Sequence, residues 1–120
     1  RRHRVAKDDC GYRCLADPDG LLLASGEGQD FLVLNGTQMQ SASVQNLIGD
    51  GAALREAGVK QLRLSPCSQG FARVLEDFDA VMNTGAAAGE RATAWTGLGV
   101  PGPFSNGYAR RLPGMAWSDT

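Results

Sequence analysis

Three cysteines and a single histidine are the side chains best suited to metal or nucleophile chemistry in this 120-residue chain. Cys10 and Cys14 form a Cys-x3-Cys pair directly after Lys7-Asp8-Asp9. Thiolates bind soft metals and iron–sulfur clusters, and the common clusters take four of them. Two ligands on one loop, joined by two from elsewhere, make a complete set. Positive charge nearby, such as Arg4 and Lys7, favours the thiolate form. The same spacing also suits ordinary thiols or a redox pair. Zinc would need a further Cys/His pair, and the one histidine, His3, lies seven residues before Cys10.

Cys67 follows Ser65-Pro66, a helix-start signal with Ser as cap and Pro at the first helical position. That places Cys67 in a first turn, where the helix dipole lowers a thiol pKa. It is expected there as a small, half-buried residue. One histidine in a charged terminus does not make a Ser–His triad, so His3 is expected in solvent. Glu76, Asp77 and Asp79 fall on the polar side of an amphipathic pattern and are expected to be solvated. The glycines between Gly97 and Gly102 neither follow a strand nor open a helix, so they form no phosphate loop. Arg110-Arg111 is expected as a surface pair.

The composition narrows the functional classes. Hydrophobic residues at 42% and charged residues at 21% describe an ordinary globular domain and exclude a disordered tail. Twelve Lys+Arg against thirteen Asp+Glu leave a net charge of −1, with no global attraction for nucleic acid or an anionic membrane. No apolar run approaches the roughly 18 residues of a membrane span. An odd cysteine count does not make a disulfide framework, and no export signal is evident near Arg1, so a reducing, cytoplasmic setting is expected. With Arg1 in place of an initial Met, the odd count also suggests that part of the working unit lies outside these residues.

The elements that must position these groups follow from periodicity. Asp17-Pro18-Asp19-Gly20 is a turn. Residues 21–24 and 31–34 are short β-favouring runs joined by a Gly-rich stretch, which predicts a hairpin ended by Asn35-Gly36. Val44, Leu47 and Ile48 at i, i+3 and i+4 predict a helix face capped by Ser41 or Ser43. Ala53, Leu54 and Ala57 continue as a short helix closed by Gly58. Residues 59–64 predict a strand. From Ser65-Pro66 onward, Phe71, Val74, Leu75, Phe78 and Met82 mark an amphipathic helix ending near Gly85. The Ala-, Gly- and Pro-rich remainder predicts an extended C-terminal tail anchored by Trp95, Phe104, Tyr108 and Trp117. Helix, strand, helix is one turn of an α/β arrangement, and a lone parallel strand needs neighbours. The fold class expected is therefore α/β, the C-terminal part of a larger, barrel-like domain.

Several segments together resemble a known family. They are Lys7-Asp8-Asp9-Cys10 with Cys14, the turn Asp17-Pro18-Asp19-Gly20, Asn35-Gly36-Thr37-Gln38-Met39-Gln40-Ser41, Leu62-Arg63-Leu64-Ser65-Pro66, Asn106-Gly107-Tyr108 and Pro113-Gly114-Met115. Over most of residues 4–115 the series is similar to the C-terminal part of the collagenase-like peptidase family, the U family numbered thirty-two, and within it to the UbiV-like branch. The resemblance implies that residues 1–120 are a C-terminal fragment of a single (β/α) barrel-like domain. It implies a [4Fe–4S] cluster with Cys10 and Cys14 as the close pair of its ligands, the other two preceding Arg1. It further implies an accessory subunit of oxygen-independent ubiquinone biosynthesis. Such a subunit works with a UbiU-like sister in hydroxylating the ring of a ubiquinone precursor, with prephenate as hydroxyl source. Cys67 corresponds to no ligand of that set, and Ala109 stands where the pattern has an aromatic residue. The peptidase signature is absent from these residues, so part of a hydroxylase complex is expected rather than an active peptidase. Family relatives that hydroxylate RNA bases are the alternative, and the near-neutral charge argues against it. A non-catalytic module docking through its aromatic tail is a further reading of the same residues.

Overall fold

The computed structural model describes Arg4 and residues 6–119, a mixed α/β chain in two compact units, Arg1–Ala42 and Ser43–Thr120. The first unit begins with two single-turn 3-10 helices, Lys7–Asp9 and Arg13–Ala16. The turn at residues 17–20 follows, closed by Gly20 N–H donating to the Asp17 carbonyl at 2.8 Å. Gly20 has φ +91°, and a Cβ there would come within 2.5 Å of Val33 Cγ1, so only glycine fits.

Strands β1 (Leu21–Ala24), β2 (Asp30–Asn35) and β3 (Gln38–Ser41) form an antiparallel meander in that order. The predicted hairpin is β1–β2, with Leu21 opposite Leu34, Leu22 opposite Val33, and a bulge at Leu23/Ala24. Its loop is tied by Ser25, whose N–H donates to the Gln29 carbonyl at 2.7 Å and whose Oγ accepts from the Glu27 and Gln29 amides. Asn35-Gly36 does end β2, but it also turns the chain into β3, with Asn35 opposite Gln38.

The second unit contains β4 (Val44–Gln45), α1 (Gly51–Glu56), α2 (Phe71–Asn83), α3 (Arg91–Thr96) and β5 (Phe104–Ser105). Strands β4 and β5 pair in parallel, Val44 with Phe104 and Gln45 with Ser105. This pairing overrides the helical spacing predicted from Val44, Leu47 and Ile48. Asn46 Oδ1 accepts the Ile48 amide at 3.1 Å, a local bond that competes with an earlier helix start. The chain then forms a 3-10 turn, Ile48–Asp50, and α1, which ends at Ala57 before Gly58 at φ +79° as predicted.

The segment at residues 59–64 is not a strand, because no described strand lies beside it to complete a ladder. Helix α2 begins at Phe71 rather than at Pro66. Its cap, Gly70, has φ +70°, outside the right-handed helix, and a Cβ there would lie 2.7 Å from Val100 Cγ2. Cys67 therefore lies before the helix and outside its first turn.

Nor is the region after Gly85 an extended tail. It folds back as α3, β5 and a 3-10 turn, Gly107–Arg110, and supplies Trp95 to the core. That core joins Ile48, Val74, Phe78, Val81 and Trp95. Phe78 stacks on Trp95 with ring centroids 5.9 Å apart. Phe104 meets the same indole edge-on, also at 5.9 Å. Both are arrangements that aromatic quadrupoles favour. Arg110 is no bland surface residue: its Nη2 donates to Asp50 Oδ1 at 3.0 Å, fastening the last turn to the start of α1.

Asp77 departs most from expectation. Glu76 and Asp79 are exposed as predicted, but Asp77 is only 1% exposed. Its Oδ2 accepts from Trp95 Nε1 at 2.8 Å and from Arg73 Nε at 3.0 Å, and its Oδ1 accepts from Arg91 Nη1. Burial pushes the Asp77 pKa up, but the bonds from Trp95, Arg73 and Arg91 outweigh it and hold the carboxyl below its ordinary value of 3.8. A lowered folded-state pKa stabilises fully above the ordinary carboxylate value and is lost as pH falls through the folded one. Replacing Asp77 by Asn removes the charge from three bonds while Arg73 and Arg91 keep partial access to water, so a loss of about 2 kcal/mol is expected at pH 7. In urea unfolding, the gap between wild type and Asp77→Asn should narrow as pH drops below about 3.9.

Candidate functional site

Cys10 and Cys14 sit on consecutive tight turns in the first unit. Cys10 ends the first 3-10 turn at φ −82° and ψ −16°, and Cys14 is the second residue of the next. Between them the chain passes through two left-handed residues, Gly11 at φ +57° and Tyr12 at φ +50°. Glycine takes this conformation freely, whereas for tyrosine it costs on the order of 1–2 kcal/mol. Local bonds oppose that cost. The Cys10 carbonyl accepts from the Arg13 amide at 3.4 Å, Tyr12 from Leu15 at 2.9 Å, and Cys14 from Asp17 at 3.1 Å.

Both thiols are free; Cys10 is half-buried and Cys14 exposed. Tyr12 at 73% and Leu15 at 75% exposure flank them, so the loop presents its sulfurs among open apolar side chains. Chemically, this is a pair of soft donors available for ligation. The donor type fits half of a four-cysteine set, with Cys10 and Cys14 as the residues that would hold the group. Among the described residues, no three His, Cys, Asp or Glu side chains gather at one point.

The remaining sequence candidates do not join this pair. His3 lies outside the described residues. Cys67, half-buried in the second unit, donates through Sγ to the Gln69 carbonyl at 3.1 Å. Carboxylates Glu76 and Asp79 stay on the outer side of α2. The residue missed by sequence reasoning is Asp77, yet a signal existed. Positions 74, 77, 78 and 81 share one helix face, and an acid among Val74, Phe78 and Val81 is out of place unless it is paired.

No family model matches the chain, and no solved structure matches it. Among the described residues, no helix is long and apolar enough to cross a membrane.

The order of thiol access is a direct test of this arrangement. With iodoacetamide under reducing conditions, mass spectrometry should show Cys14 alkylated before Cys10 and Cys67. Equal labelling of all three would contradict the exposure of the loop.

Proposed function

We propose that this chain belongs to a UbiV-like iron–sulfur accessory subunit of oxygen-independent ubiquinone biosynthesis, a member of the collagenase-like peptidase family. Together with a UbiU-like sister subunit it would serve the O₂-independent hydroxylation of a ubiquinone precursor, with prephenate as hydroxyl source, in the cytoplasm. The observation that carries this reading is the Cys10/Cys14 pair. Two free thiols four residues apart stand on one accessible double turn, within the segment that most resembles the family. The parallel β4–β5 pair supports placing residues 1–120 within a larger (β/α) barrel-like domain, since parallel strands belong to sheets covered on both faces.

In this reading the cluster supplies electron transfer when bound, and the chain's own contribution is to hold two sulfurs. Gly11 and Tyr12 reverse the backbone so that Cys10 and Cys14 fall on successive turns. Asp8 and Asp9 remain in the preceding turn and lie outside the sulfur donor set.

Anaerobic reconstitution of the full-length protein should give about four iron per chain, the count of a [4Fe–4S] cluster, with the broad visible absorption of sulfur-to-iron charge transfer. The Cys10→Ala/Cys14→Ala double variant should lose both signals and keep its far-ultraviolet circular dichroism. Full iron loading by that variant would overturn the assignment. Cys67→Ala should load iron as the parent protein does.

A further inference from the structure

The turn between Cys10 and Cys14 folds the chain back on itself. Across it, the Arg13 amide donates to the Cys10 carbonyl at 3.4 Å, and the two residues between, Gly11 and Tyr12, both have positive φ. Two left-handed central residues are the mark of a type I′ turn, which reverses the backbone. Cys10 opens this turn and Cys14 comes directly after it. Such a turn holds its first and last Cα atoms, here Cys10 and Arg13, within about 7 Å. A disulfide spans Cα separations of roughly 4.4–6.8 Å, the same range. A Cβ built on Gly11 meets nothing within 4 Å, so no neighbouring atom obstructs an adjustment of the turn.

We propose that Cys10 and Cys14 are a reversible thiol–disulfide pair, oxidised by a small-molecule disulfide of the glutathione type, with Cys14 as the attacking thiol and Cys10 as the resolving one. Exposure sets the order, because Cys14 is exposed and Cys10 half-buried. In the first step the Cys14 sulfur attacks one sulfur of the small disulfide. The S–S bond breaks, and the departing thiolate takes up the proton that Cys14 gives. In the second step the Cys10 sulfur attacks the Cys14 sulfur of the mixed disulfide, and a second small thiol leaves with the proton of Cys10. Two cysteine thiols are thereby oxidised by two electrons, and one small disulfide is reduced to two thiols.

The consequence is a switch on the loop. Thiolate is the form that binds a metal, and a disulfide has none to offer, so oxidation and ligation compete for the same two sulfurs. Reduction restores both donors. This chemistry is independent of which group the sulfurs hold in the reduced state. Cys67 takes no part in it, since it lies in the other unit with its Sγ donating to the Gln69 carbonyl.

Dilute full chain, reduced and free of metal, is incubated with glutathione disulfide and mapped by peptide mass spectrometry. Free thiols should fall from three to one, and the chain should lose the mass of two hydrogens through a Cys10–Cys14 link that dithiothreitol reverses. Cys10→Ser should instead accumulate one glutathione on Cys14, because the resolving sulfur is gone. Cys14→Ser should leave Cys10 largely unmodified over the same interval. A glutathione that persists on Cys14 of the parent protein, a link from either cysteine to Cys67 or to a second chain, or no oxidation at all would overturn the proposal. Modification of Cys10 in Cys14→Ser as fast as Cys14 reacts in Cys10→Ser would overturn the assigned order.

Discussion

The second unit is organised around a carboxylate placed where an apolar side chain would ordinarily stand. Asp77 lies on the inner face of α2 between Val74, Phe78 and Val81, and an isolated charge there would be expelled by its solvation cost. What retains it is a set of donors from two helices: Arg73 one turn earlier on α2, and Arg91 and Trp95 on α3. This constraint explains more than the position of one acid. To bond Asp77, the indole of Trp95 must enter the core with its N–H pointed at α2, and in that orientation its ring stacks on Phe78 and receives the edge of Phe104. Phe104 opens β5, so the parallel pairing with β4 is fixed through the same indole. Hydrophobic burial supplies most of the driving force, and the carboxylate selects one arrangement of the aromatic groups.

This dependence also explains which features the sequence makes legible. The β1–β2 hairpin can be read because its signals are local: two apolar runs, a loop rich in glycine, and a serine able to tie it. The closing of α1 at Gly58 and of α2 before Gly85 is legible for the same reason. Strand β3 is not, because Gln38, Gln40 and Ser41 carry no apolar alternation, and its register comes from the Asn35-Gly36 turn and the neighbouring strand. At Ser65-Pro66 a sound local start signal loses to a tertiary one, since Gly70 must pass Val100 with no Cβ between them. Residues 90–117 read as irregular because their order comes from contacts with distant residues: Trp95 with Asp77, Arg110 with Asp50, and Asn106 with Ser118. The types and spacing of Cys10 and Cys14 are plain in the sequence. The left-handed Tyr12 between them is not, as nothing in its side chain favours positive φ.

The two units reach order by different means, and the difference bears on the thiol pair. In the second, an aromatic core is sealed. Among the described residues of the first, no large apolar side chain is buried, and Leu22, Leu23, Phe31 and Leu34 remain between 37% and 56% exposed. Its three strands are held by ladder bonds and turns, each worth only about 1 kcal/mol net, and a small sheet without a packed face is marginal. In that setting the strained turn at Gly11-Tyr12 has little core to oppose it. A ligated group joining Cys10 to Cys14 would act where the unit is weakest, because binding free energy is available to order the residues that bind. Were the pair ligated, held thiols and an ordered first unit would be one equilibrium. Tyr12 sits in the left-handed region at the point where the chain reverses between the turns that carry Cys10 and Cys14, so its strain falls in the part of the unit with the least packing to hold it.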